Sequence, residues 1–303
     1  MSAPRMNAAE WMLLLALSVL WGSVFLLIAV GLKDFGPFTL VLGRVGLAAL
    51  ALVAWVYLSG LRMPRTAAAW RDFFVVGALQ AALPFSLIAW GQTAIDSGMA
   101  AILNATSPLF TVFLAHFLTV DERMTANRVA GVVLGFLGVV VLVGPSALAG
   151  MVGQGLGRVA ILGATLSYAF AAIYGRRLKG TPPAVSAAGM LTAAALMLAP
   201  VAFVVEQPWR ADPGALAWGA VVAMAVFSTA LAFILYYRIL ATAGATNALL
   251  CTFVMPPVAL VLGVAFLGET PEWTAFLGMA LILAGLAAVD GRALGIFGQR
   301  GGR

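Results

Sequence analysis

"FVMPPVALVLGVAFLGE", residues 253–269, is an apolar run with two adjacent prolines near its start and one carboxylate, Glu269, at its end. The stretch "TSPLFTVFLAHFLTVDE", residues 106–122, has the same plan 147 residues earlier, with Pro108 ahead of the run and Glu122 behind it. A helix-breaker inside a greasy segment is costly in water-soluble folds. It is tolerated in membrane helices, where neighbouring helices and side chains re-satisfy the freed backbone.

The composition agrees. The chain of 303 residues is 63% hydrophobic and 9% charged, whereas soluble domains average about 25% charged residues. Apolar runs recur to the C-terminus, so a signal peptide alone does not account for them. Ten runs are long enough to cross a bilayer, at roughly 11–32, 37–58, 70–91, 97–119, 127–144, 157–178, 183–205, 214–237, 245–267 and 272–290. Strand-type alternation is absent, which argues against a β-barrel. The expected fold is therefore all-α and integral to the membrane, with ten transmembrane helices. Thr125 reads as the cap of the helix entering at Ala126. Thr270 followed by Pro271 reads as the start of the last helix.

Shifting the chain by 147 places Glu122 on Glu269, Gly131 on Gly278, Gly138 on Gly285 and "GMAAIL" on "ATNALL". The correspondence is weak at single residues but ordered throughout, and it divides the chain into halves of five helices, residues 1–149 and 150–303. Because five is odd, the second half enters the membrane from the opposite side, which makes the halves an inverted repeat. Glu122 and Glu269 then mark the water boundary on opposite faces, each beside a helix N-terminus where negative charge is favoured. A role in gating is the alternative reading.

Orientation follows from the basic residues. Thirteen fall on the face that holds both termini: Arg5, Arg62, Arg65, Arg71, Arg123, Arg128, Arg176, Arg177, Lys179, Arg238, Arg292, Arg300 and Arg303. Three fall on the other: Lys33, Arg158 and Arg210. Both termini are thus expected in the cytoplasm. The net charge of +6 lies in short loops, where anionic membrane lipid is a simpler partner than nucleic acid.

The spans hold little chemistry. Arg44, seven residues after Pro37, is the one clear internal charge. It could hold an anionic group, bond to backbone carbonyls or meet an acidic loop, and the structural readings are favoured. His116 is the only histidine and has no partner at ligand spacing, so neither a metal nor a cofactor is expected. Cys251 stands alone in an apolar run, which reads as a buried thiol. Without a base, an acid or a metal at depth, an intramembrane enzyme is disfavoured, and a carboxylate proton relay is missing as well.

What remains is uncharged and partly aromatic: Trp21, Ser23, Gln80, Asn104, Ser107, Ser167, Tyr168, Tyr174, Ser228 and Thr229, with Trp90 and Asn247 nearer span ends. Asn104, Ser107, Pro108 and Thr111 share one helix face, as do Gln80 and Pro84. Such walls suit a small amphipathic ligand, although polar membrane residues also serve simply to bond helices together. The candidate substrate-binding set is Trp21, Gln80, Pro84, Asn104, Ser107, Tyr168, Ser228 and Thr229. Pro108 and Pro256 are expected to bend spans four and nine beside a central cavity. Gly131, Gly135, Gly138, Gly278 and Gly285 read as close packing.

The order of proline, apolar run, glutamate and glycines in "SPLFTVFLAHFLTVDERMTANRVAGVVLGFLG" (107–138) and "PPVALVLGVAFLGETPEWTAFLGMALILAG" (256–285) resembles the drug/metabolite transporter superfamily, specifically its EamA-type ten-helix exporters. "LWGSVF" at 20–25 and Arg44 after Pro37 add to the likeness, which covers nearly the whole chain. The resemblance implies a bacterial inner-membrane carrier. Its cavity would lie between spans one, three, four, six, eight and nine and open alternately to each side, with spans five and ten peripheral. It implies export of small amphipathic metabolites, with amino acids first, as in the YddG-like aromatic amino-acid exporters. An exporter of lipophilic or cationic drugs such as methyl viologen is the alternative. A scaffold subunit is a more distant one.

Overall fold

The computed structural model describes residues 6–118, 125–143, 154–178, 180–243, 245–248 and 250–290. These residues form ten helical spans without strands. They are α1 (Ala8–Gly31), α2 (Pro37–Leu58), α3 (Ala67–Gly91), α4 (Ser97–Leu118), α5 (Ala126–Val143), α6 (Gln154–Leu178), α7 (Pro183–Val205), α8 (215–243), α9 (245–267) and α10 (Trp273–Asp290). Seven are long and apolar enough to cross a membrane, and the apolar stretches Ala126–Leu142, Cys251–Leu267 and Trp273–Val289 are shorter. Glu122 lies outside the described residues, as do Arg5, Arg123, Lys179, Arg292, Arg300 and Arg303.

Local chemistry sets the helix starts. Asn7 and Glu10 form a capping box on α1. Pro37 and Pro183 stand in the first turns of α2 and α7, where a missing N–H costs nothing. Thr125 directly precedes α5. The last helix begins later than the sequence suggests. Gly268 takes a left-handed conformation at φ 68°, and Thr270 and Pro271 lie in the connection ahead of Trp273.

Helix α1 packs on α8 and α9, and α6 packs on α3 and α4. Helix α2 packs on α7 and α8, and α7 packs on α2 and α3. Most contacts therefore have a counterpart five helices away. Helices α5 and α10 pair with each other at the edge of the bundle. There the backbones approach so closely that a Cβ on Gly131 would lie 2.6 Å from the carbonyl oxygen of Gly285, and one on Gly138 2.8 Å from that of Gly278. These glycines act as close packing, through which backbone meets backbone. Phe25, Phe73, Leu103, Ile161, Leu191 and Met224 are fully buried inside the bundle, while Leu50, Val140, Val204 and Phe266 face outward, as in a helix bundle solvated by lipid.

Candidate functional site

Four spans depart from regular α-helix where the polar residues sit. In α3, residues Ala78–Ala82 form a π-turn just before Pro84. Leu83 N donates to Ala78 O, and Pro84 has no N–H, so Leu79 O is left without its helical donor. Ser167 of α6 donates to it instead, at 2.7 Å. Helix α8 has a π-turn at Val226–Leu231, which lies 148 residues beyond the start of the first and contains Ser228 and Thr229.

Helix α4 breaks at Ala105–Thr106, two residues before Pro108 and not at the proline itself. Pro108 strips Asn104 O of its donor, and the Ser107 hydroxyl replaces it at 2.7 Å. Thr106 Oγ1 likewise donates to Leu103 O at 2.7 Å. In α9 the turn falls at Leu250, with tight three-residue bonds from Leu250 N to Asn247 O and from Phe253 N to Leu250 O, both 3.1 Å. Pro256 and Pro257 stand inside the following helix, Cys251–Leu262. In α4 the break adjoins Asn104, the carbonyl that Pro108 orphans, whereas the α9 turn at Leu250 lies ahead of Thr252 and Phe253, the residues four before Pro256 and Pro257.

The structure divides the sequence-selected polar residues into two groups. Ser23, Ser107, Ser167 and Asn247 bond to backbone carbonyls. Trp21 stacks obliquely on Tyr236 at 5.6 Å. Trp90 is 42% exposed near the end of α3. Tyr174 donates to Asp72 at 2.9 Å near the ends of α3 and α6. Gln80 lies half-buried within the α3 π-turn. The oxygens Asn104 Oδ1 and Ser228 Oγ are buried without a hydrogen-bond partner.

Around Arg44 several of these elements converge. Its Nε donates to Thr229 Oγ1 in the α8 π-turn at 3.1 Å, and its guanidinium lies over the Phe85 ring at 4.0 Å, next to Pro84 in α3. Tyr168 of α6 is within electrostatic range. Among the described residues neither a backbone carbonyl nor an acidic loop residue holds Arg44. No residue spacing pointed to Phe85 as its neighbour.

One end of the bundle is closed by carboxylates that reach from one half to the other. Glu206, after α7, accepts from Phe38 N (2.9 Å) and Thr39 N (2.7 Å) at the start of α2. Glu269, after α9, accepts from Ser97 N (2.7 Å) and Gly98 N (3.1 Å) at the start of α4. Asp34 accepts from Gly214 N at 2.9 Å, at the start of α8. Each satisfies backbone donors that a helix start leaves open. Glu269 therefore caps a helix of the other half and not the helix that follows it. A Cβ at Gly263 would collide with its carboxylate. A pocket of about 230 Å³ opens here between Asp96, Glu269, Glu272 and Arg158. Burial first, then the charges of Glu269 and Glu272, hold the Asp96 carboxyl above its ordinary pKa.

Among the described residues no three His, Cys, Asp or Glu side chains lie close enough to hold a metal ion. His116 packs edge-on against Phe117 at 4.8 Å.

Comparison with known proteins follows the same lines. A probable terminal-alkyne amino-acid exporter of Streptantibioticus cattleyicolor is 29% identical over 301 residues, covering 96% of both chains. The uncharacterized inner membrane transporter YedA of Escherichia coli K12 is 25% identical over 277 residues, covering 91% of this chain and 89% of its own. A solved crystal structure superposes with a TM-score of 0.67 at 20% identity, covering 94% of this chain and 98% of that one, which shows a shared fold. The pattern of the EamA-like transporter family matches residues 9–144 and, a second time, residues 155–289. The chain belongs to the EamA-like transporter family.

Proposed function

We propose that this membrane transporter exports small amphipathic metabolites, most readily amino acids with aromatic or hydrophobic side chains. It does so by alternating access through the interior between α1, α3, α4, α6, α8 and α9. The observation that carries the reading is the placement of helix interruptions. The π-turns of α3 and α8 and the breaks of α4 and α9 coincide with Gln80, Asn104, Ser107, Ser228 and Thr229. Irregular backbone at membrane depth is tolerated where it is buried in protein or lines a cavity. Trp21 and Tyr168 supply apolar wall. Pro84, Pro108 and Pro256 shape the interrupted helices. The relative named as a probable amino-acid exporter supports the substrate class.

Counterpart contacts and the paired π-turns support two five-helix halves, 1–149 and 150–303, related as an inverted repeat. With both termini in the cytoplasm of a bacterial inner membrane, as the thirteen-to-three distribution of basic residues supports, the carboxylate-closed end is external. Among the described residues the interior between the spans has no carboxylate for a proton relay, which favours facilitated movement or exchange. A second reading, export of lipophilic cations such as methyl viologen, has the aromatic walls in its favour and buried Arg44 against it.

Purified protein in liposomes, offered labelled phenylalanine, tryptophan, threonine and methyl viologen with and without a proton gradient, tests this directly. Saturable amino-acid uptake without a gradient is expected. Uptake of methyl viologen alone, or uptake only with a gradient, moves the drug-exporter reading ahead.

A further inference from the structure

Arg44 is 7% exposed and starts about 10 Å along α2 from Pro37, by a rise of about 1.5 Å per residue. An arginine keeps its proton at neutral pH, and a buried charge without a counter-charge is strongly unfavourable. Among the described residues no carboxylate forms an ion pair with Arg44. Thr229 takes one hydrogen bond, from Nε, and the Phe85 face takes the cation. The N–H groups of Nη1 and Nη2 make no hydrogen bond among the described residues. They form the edge of the guanidinium fork that matches a carboxylate with two parallel bonds.

The partners explain how that edge is held. Thr229 fixes the Nε side from the α8 π-turn, and Phe85 fixes the plane from the residue after Pro84. Both lie on interrupted helices, and Tyr168 stands nearby on α6. The cation is thus positioned by uncharged groups and left short of one anion. A purely structural arginine would be expected to end in carbonyls or an acid, as Ser23, Ser107 and Ser167 end in carbonyls.

We propose that Arg44 is the carboxylate-binding residue of the transport site, and that the substrate class is organic acids and zwitterions with a free, planar carboxylate beside an apolar side chain. This rests on the reading of the interior as the substrate path and sharpens it. The arginine selects for the carboxylate, and the aromatic walls take the side chain.

The test compares protein-dependent uptake of phenylalanine, 3-phenylpropionate and phenylalaninamide into liposomes, with protein-free vesicles subtracted. Wild-type protein should prefer the two carboxylates to the amide by about tenfold or more, the scale of a charge-assisted hydrogen bond. Arg44→Gln should collapse that preference toward unity, and Arg44→Lys, which keeps the charge but loses the fork, should leave an intermediate ratio. If Arg44→Gln fails to fold, the ratio in Arg44→Lys decides. An unchanged preference in the variants, or an equal loss of all three compounds, gives Arg44 a structural role and overturns the proposal alone. Wild-type vesicles that move no amino acid overturn the amino-acid reading and this inference with it.

Discussion

Helices α5 and α10 and helices α3 and α8 are built from similar apolar residues, yet they do opposite things. The first pair is regular and meets backbone to backbone at Gly131, Gly138, Gly278 and Gly285, with no polar side chain between the helices at these contacts. The second pair is wound into π-turns, one ahead of Pro84 and one around Ser228 and Thr229, and each π-turn engages a residue from another helix. Ser167 reaches Leu79 O, and Arg44 reaches Thr229. In a bilayer the hydrophobic effect does not bring helices together, so packing and hydrogen bonds decide where they meet. Close packing makes a rigid frame, and released backbone groups make a place where polar chemistry can sit.

Four expected outcomes test that contrast. The largest concerns the frame. Gly131→Leu or Gly285→Leu forces the α5 and α10 backbones apart and should cost about 2–3 kcal/mol, as overpacking does. Thermal unfolding in detergent measures it, and the carboxylate-to-amide uptake ratio of the folded fraction should not change. The next concerns the α3 π-turn. Ser167→Ala should cost about 1 kcal/mol by leaving Leu79 O unpaired. Pro84→Ala restores an N–H, so the double variant should lose less than the two single losses combined. A double-mutant cycle by chemical denaturation reads this coupling.

Glu269→Gln keeps the shape of the bridge to Ser97 and Gly98 but removes its charge. It should cost about 0.5–1 kcal/mol, the worth of a charge at a helix N-terminus. The smallest effect is at Asp96. Its folded pKa is raised, so the folded state holds that proton more tightly, and stability falls as pH rises from the ordinary carboxylate range through the higher folded value. Asp96→Asn should therefore raise the melting temperature at neutral pH, and the gain should vanish at pH values below both. Glu269→Gln should also narrow that window, since Glu269 is one of its causes.

Much of the architecture was legible because membrane spans announce themselves by length and composition. All ten apolar runs correspond to helices within a few residues. The glycines of "GVVLGFLG" and "GMALILAG" read as close packing in the sequence, but that spans five and ten pack on each other was not legible there. The site was less legible, because proline marks the neighbourhood of a break without fixing its position. In α4 the break comes two residues early, and in α9 six, since tight three-residue bonds and hydroxyl donors decide where the chain turns. Long-range partners were invisible. Nothing local says that Glu269 will cap α4, that Glu206 will cap α2, or that Phe85 will lie beneath Arg44. Asp96 even stands at the cap position of α4 without bonding to it, because Glu269 already holds those donors.

On the proposed function the interrupted helices, and not the glycine-packed frame, line the substrate path, which cysteine labelling reads directly. In a Cys251→Ser background, Asn104→Cys on the broken helix α4 and Val139→Cys on α5 are exposed to a small water-soluble thiol reagent, with and without phenylalanine. Asn104→Cys is expected to label readily and phenylalanine to slow it, while Val139→Cys labels slowly and is indifferent to phenylalanine. Equal labelling at both positions, or labelling of Asn104→Cys that phenylalanine does not slow, would contradict it.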